Sequence, residues 1–317
     1  MRFSCLLSAL LFCACSGPGV GDAGSSRDAG FDAGDLGGPC TDFQDVVELG
    51  QIDDPMLTEL SGLAASRRHA DRYYAHNDSG DSARVFVLDD GAHVVGQLAL
   101  TGASAHDYED IAIGPGPDGM PWVYVGDTGD NVARDGTGTP RENVTVYMFA
   151  EPDTLDGAVT PDPITLTYPD HPHDCEAMFV DTNGDLYLIT KEDDGASILF
   201  RAAAPLGASA VLEPIHTLAL GDPPLGGSPY ATGADLSPLG GRLLLRTYNR
   251  IHLFVREPGE PWPTTLARAP LPVTTHFEPQ GESVAWLADG RGYLTAGEGV
   301  ASPVYRFGAT DSTCEPH

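Results

Sequence analysis

The chain has 317 residues, 38 of them glycine and 26 proline, with 41% apolar residues, a mix that suits many short strands joined by tight turns. Its 46 acidic against 17 basic residues leave a formal net charge of −29, which excludes a phosphate backbone as partner and disfavours anionic membrane surfaces. Beyond the extreme N-terminus no stretch approaches the roughly 20 apolar residues of a spanning helix, so contact with a membrane is expected only through a lipid anchor.

Residues 1–15 read as an export signal: Arg2 supplies the positive start, Phe3 to Cys13 an apolar run, and Ala14-Cys15 the end. A small residue before cysteine resembles the bacterial lipobox, which makes Cys15 the expected lipidation site and the cell envelope the expected location. Phe12 and Cys13 depart from that pattern, and a cleaved signal without lipid is the alternative. Residues 16–39 repeat Asp-Ala-Gly and hold almost nothing that could be buried, so they form a flexible tether to a folded domain over 40–317. Cys40 opens that domain and Cys314 nearly closes it. In an oxidising compartment they are the expected disulfide pair, contributing about 4–5 kcal/mol on the chain-entropy model. Cys175 is left as a buried small hydrophobe.

From residue 59 a repeat organises the chain. Five segments begin with an acid and run on as a short apolar strand: Glu59-Leu-Ser-Gly-Leu-Ala, Glu109-Asp-Ile-Ala-Ile, Glu176-Ala-Met-Phe-Val, Asp235-Leu-Ser-Pro and Glu282-Ser-Val-Ala-Trp-Leu. After each comes a turn and a second strand with a polar end, as in Arg72–Asp78, Trp122–Asp127, Asp185–Glu192, Arg242–Tyr248 and Gly292–Glu298. Third strands follow at Arg84, Val144, Ile198, Ile251 and Pro303. The acidic starts lie 50, 67, 59 and 47 residues apart, periods that suit four-stranded propeller blades. An all-β propeller of five blades is expected, with six blades or a β-sandwich as alternatives. The last unit is too short for four strands, and Gln44–Ile52 is expected to close it, which also brings Cys40 towards Cys314.

In an antiparallel blade the start of the first strand and the end of the second lie at one edge. Glu59, Glu109, Glu176, Asp235 and Glu282 should then ring the axis, with Asn77, Asp78, Asp127, Lys191, Glu192, Arg246 and Glu298 lining the same mouth. So many carboxylates cannot all stay ionised without compensation. Lys191 and Arg246, protonation, or a divalent cation could supply it. Calcium is the favoured ion, since it takes oxygen ligands in loose geometry, and Glu59, Asp78, Glu109, Asp127, Glu176, Asp235 and Glu282 are its candidate ligands. Alternatively each acid caps amides of its own blade. The loops Asn77–Asp81 and Asp127–Asn131 offer further oxygens, and Asp181–Asp185 reads as a hairpin turn. His76, His106, His171 and His173 are candidate bases or metal ligands, with a structural or solvated role as the alternative. No G-x-S-x-G elbow, H-E-x-x-H or phosphate-binding glycine loop is present.

The strings Asn77-Asp-Ser-Gly, Tyr108-Glu-Asp-Ile-Ala, Gly126-Asp-Thr-Gly-Asp-Asn131, Thr232-Gly-Ala-Asp-Leu-Ser-Pro, Arg246-Thr-Tyr and Gln280-Gly-Glu resemble a mostly uncharacterised bacterial family of exported propeller proteins, over about residues 58–308. Tyr108 stands where that family usually has tryptophan, and Cys175 where a small residue is common. More remotely the chain is similar to NHL-type, gluconolactonase-like and phytase-esterase-like propellers, some of which hydrolyse lactones or esters around an axial calcium. The resemblance implies either a surface binding or scaffold module for a protein, glycan or small-molecule partner, or a metal-dependent hydrolase of lactonase, esterase or glycosidase type. The absence of an evident nucleophile–base pair favours binding.

Overall fold

The computed structural model describes residues 41–44 and 46–310. The export segment, the tether and Cys15, Cys40 and Cys314 lie outside the described residues.

Five sheets stand as blades around one axis. Their innermost strands are Leu60–Ala65, Tyr108–Pro115, Cys175–Val180, Ala231–Leu236 and Gly281–Trp286. Each packs against the next, and the fifth against the first, so the ring closes. Second strands are Tyr73–Asn77, Pro121–Asp127, Leu186–Thr190, Arg242–Thr247 and Gly292–Gly297. Third strands are Arg84–Leu88, Val144–Ala150, Ile198–Ala202, Arg250–Val255 and Pro303–Gly308. As expected from the sequence, the last blade is completed from the other end of the chain: Val47–Gln51 pairs antiparallel with Pro303–Gly308. Phe43 bridges Ala309, and the Asp42 carbonyl accepts from Thr310 N at 3.0 Å.

Two short strands stitch blades together at the rim. Gly157–Val159 adds in parallel to Val94–Leu100 of the first blade, and Ser209–Val211 adds to Asp162–Thr167 of the second. Both come from chain that follows the next blade's third strand, and they cover edges that would otherwise stay unpaired. Among the described residues, no helix is long and apolar enough to cross a membrane.

Every residue of the five innermost strands is buried. The reason is that blades stack face to face, so both faces of an inner strand meet protein and the polar-out alternation of an open sheet is lost. The apolar core accordingly falls into clusters between blades rather than one centre. Met148 and Ile164 of the second blade pack with Met178 and Phe200 of the third, and Phe179 and Leu199 of the third with Phe254 and Trp262 of the fourth. Cys175 is fully buried, and burial pushes its thiol up to about 12, so it is the inert small hydrophobe expected.

One irregularity recurs in all five blades. The pairing of the first strand with the second slips near its start, between Leu60 and Leu63, Tyr108 and Asp110, Cys175 and Ala177, Ala231 and Gly233, and Gly281 and Ser283. Such bulges re-aim a side chain that regular pairing would hold against the neighbouring sheet. The residues so released are Ser61 with Gly62, Glu109, Glu176, Thr232 and Glu282.

Candidate functional site

The bulges build the mouth. Ser61, Glu109, Glu176 and Glu282 line a pocket of about 210 Å³ on the axis, together with Asp78, Lys191, Glu298, Gln280, Tyr248, Asn131 and Arg134. The repeat alignment is therefore right for blades two, three and five and offset in the other two. Glu59 stands two residues before its bulge and is exposed at the rim. Asp235 lies three residues beyond Thr232, deep in the channel, where its Oδ2 accepts from Trp286 N at 2.6 Å. At the two blades lacking an acid the bulge residue carries a hydroxyl that ties its blade to the next. Ser61 Oγ donates to Glu109 O at 2.6 Å and Thr232 Oγ1 donates to Gly281 O at 2.8 Å.

Two carboxylates absent from the sequence reading complete the cluster. Asp78, Asp107 and Glu109 bring ligand oxygens within 4.8 Å of one another, and so do Glu109, Asp174 and Glu176. Glu109 belongs to both groups. Asp107 and Asp174 each stand two residues before a bulge glutamate, as Gln280 does in the last blade, and Glu59 stands likewise two residues before the bulge serine of the first. This Asp-x-Glu spacing, repeated at 107–109 and 174–176, is the signal that could have found them. Gly129 makes the close approach feasible: a Cβ there would fall onto Glu109 Oε1 and Asp107 Oδ2.

The cluster is electrostatically uneven. Glu109 is 4% exposed, and burial followed by the charges of Glu176, Asp78 and Asp107 holds its carboxyl well above the ordinary range. Its side chain makes no hydrogen bond or ion pair with any described residue. Burial and then Asp107 push Asp78 up to about 7, and its Oδ1 is buried without a partner. Glu282 is pushed to about 7 chiefly by burial, against the pull of Lys191. Compensation comes from two cations. Lys191 pairs with Glu176 and donates to Tyr248 Oη at 2.9 Å; its desolvation is outweighed by Glu176 and Tyr248 together, which raise its pKa. Arg134 Nε lies 3.1 Å from Asp174 Oδ2, and Asp174 Oδ1 accepts from Asp130 N at 2.8 Å.

The other expected mouth residues serve the frame. Asp127 accepts from Asp107 N at 3.1 Å and meets Arg141 Nη1 at 2.9 Å, holding the loop before Glu109. Asn77 accepts from the amides of Thr58 and Glu59 and donates to Met56 O at 2.7 Å, so both ends of its amide are spent. In its loop, Asp81 is neutralised by a two-pronged contact from Arg84 at 2.8 and 2.6 Å. Arg246 pairs with Glu278 and donates to Ser283 O at 2.8 Å, joining the fourth blade to the fifth; Glu278 has no counterpart in the repeat and no sequence signal. Glu298 accepts from Gln280 at the rim, and Glu192 is taken up by His173. Asp181–Asp185 is the hairpin turn expected, with Gly184 at φ +85°. His76 is fully buried, which lowers its pKa to about 4, and its ring stands edge-on to Tyr108; His106 is exposed.

No protein-family model matches the chain, and a search of curated proteins returns no match. What fold and site together define is a five-bladed β-propeller with a carboxylate-rich pocket at one end of its axis.

Proposed function

We propose that the protein is a cell-envelope binding module, anchored by lipid on Cys15, that presents a calcium-dependent ligand site at its axial mouth. The observation that carries this reading is Glu109, a carboxylate 4% exposed, unpaired and shared by two carboxylate groups. A buried charge without a partner is costly, and a divalent cation held by Asp78, Asp107 and Glu109 removes the cost directly. Calcium suits the donor set, which is all oxygen and irregular in spacing. The remaining positions go to backbone oxygens, water or ligand.

Pocket size supports binding over turnover. At about 210 Å³ it is smaller than the roughly 300–1,000 Å³ that encloses a whole small molecule. It fits an ion and the tip of a larger partner. Tyr230 and Tyr248, edge to face at 5.9 Å beside Lys191, offer the amphipathic ring surface that glycans and peptides use.

The test is metal analysis of the purified protein followed by thermal melts with calcium and with chelator. Calcium a hundredfold above its Kd should stabilise by about 2.7 kcal/mol, and Glu109→Gln should abolish the shift. A melt indifferent to calcium removes the reading. Hydrolysis is the second reading, favoured by Glu282, whose carboxyl burial pushes up to about 7, a value suited to proton transfer near neutrality. Turnover of lactones or esters by the calcium-loaded protein, lost in Glu282→Gln, would establish it.

A further inference from the structure

The loop entering the third blade carries a second, chemically different cluster. His173 is the buried member: its side chain is 2% exposed, set edge-on to Tyr168 at 4.9 Å and against Phe200 at 5.3 Å. Asp170 and His171 stand on its open side, 45% and 68% exposed. The two imidazole rings lie side by side with centroids 4.2 Å apart. His173 Nε2 faces Asp170 Oδ1 at 3.2 Å, and His171 Nε2 lies 3.9 Å from Asp170 Oδ2. One donor atom from each of the three falls within 4.8 Å of the other two. Behind them, His173 Nδ1 meets Glu192 Oε1 at 3.0 Å.

We propose that Asp170, His171 and His173 form a binding site for a zinc-class divalent cation, separate from the acidic pocket. Tetrahedral zinc with ligands at about 2.0–2.1 Å spaces neighbouring donors by about 3.3 Å. The contacts of 3.2 and 3.9 Å bracket that spacing, and the exposed His171 ring is free to close the longer one. Two imidazoles select zinc, copper or nickel over calcium, which prefers oxygen alone. Glu192 supplies the outer support such sites use: it accepts Nδ1–H of His173, fixes the tautomer and leaves the Nε2 lone pair for the ion. Pro172 lies between the two histidines and restricts the backbone there. Three protein ligands on a rim leave the outward position open to water or to a carboxylate, imidazole or thiolate from a partner. The loop continues through Asp174 into the acidic pocket, so an ion here sits beside the same mouth.

The experiment uses the tag-free full chain, stripped with chelator and held in excess calcium so that the acidic pocket is filled. Titration with Zn2+ by calorimetry should show one equivalent bound per chain, and cobalt in its place should give the intense visible absorption of a four-coordinate ion. His171→Ala and Asp170→Asn, both at exposed side chains, should lose that equivalent while the near-ultraviolet circular dichroism and the calcium response stay unchanged. Glu192→Gln should keep the stoichiometry and weaken the affinity roughly 10–100-fold. Zinc binding of equal stoichiometry and affinity in wild type, His171→Ala and Asp170→Asn would overturn the assignment. So would the absence of zinc binding in the calcium-saturated wild type.

Discussion

Asp110 of the second blade accepts the backbone amide of Ala234, two blades away, at 3.1 Å. The same Oδ2 takes Met178 N of the third blade at 2.7 Å, and Oδ1 takes Ile111 N at 2.8 Å. Inner strands have no neighbour on the axial side, so their inward amides are orphaned unless something reaches them. One carboxylate therefore ties three blades together beneath the pocket.

Replacing it tests that role. Asp110→Ala strands buried amides at about 1–3 kcal/mol each, so a loss of several kcal/mol is expected in chemical denaturation, with calcium unable to restore it. A loss below about 1 kcal/mol would show that water takes over in the channel.

Acidity should stabilise the metal-free fold. Asp78 and Glu282 are both pushed up to about 7 in the native state, whereas unfolded carboxylates titrate near 4. Between those values the native state holds more protons than the unfolded chain, so stability falls as pH rises from about 4 to about 7. With chelator present, the denaturation midpoint should be higher at pH 5 than at pH 8, and calcium should recover the deficit at pH 8. A midpoint that climbs with pH would mean that Lys191 and Arg134 already neutralise the cluster.

Gly129 permits the close approach of Asp107 and Glu109, because a Cβ there would collide with both side chains. Gly129→Ala should weaken calcium binding by at least about tenfold, or about 1.4 kcal/mol, by spreading the two carboxylates. Calorimetric titration of wild type and variant decides this, and unchanged affinity would place the ion elsewhere.

Cys40 and Cys314, the expected disulfide pair, stand two and four residues in sequence from Asp42 and Thr310, which are hydrogen-bonded. Alkylation before and after reduction, read by mass, should show this pair oxidised and Cys175 free. Reduction should cost about 4–5 kcal/mol on the chain-entropy model. Full alkylation without reductant would rule the bridge out.

The sequence by itself determined the architecture: the recurring acid–strand–turn–strand unit, five times over, with closure by Gln44–Ile52, follows from period and length. It also identified Asp78, Glu109, Glu176, Lys191, Glu282 and Glu298 as pocket-lining. Its limit was registration. Glu59 and Asp235 look like members of the ring because each precedes an apolar run, yet a bulge of one or two residues decides which side chain meets the axis. Bulges depend on how a strand pairs with its partner, and the partners flanking these bulges lie 12 to 19 residues away. Asp107 and Asp174 were legible as an Asp-x-Glu spacing; Glu278 was not, because only the docking of the fifth blade on the fourth brings it to Arg246. The tertiary structure alone decided which acids are neutralised. Asp127 and Asp181 find arginines at 2.9 and 2.6 Å, Asp110 and Asp235 find amides, and Glu109 finds neither, standing where carboxylates of the first three blades converge.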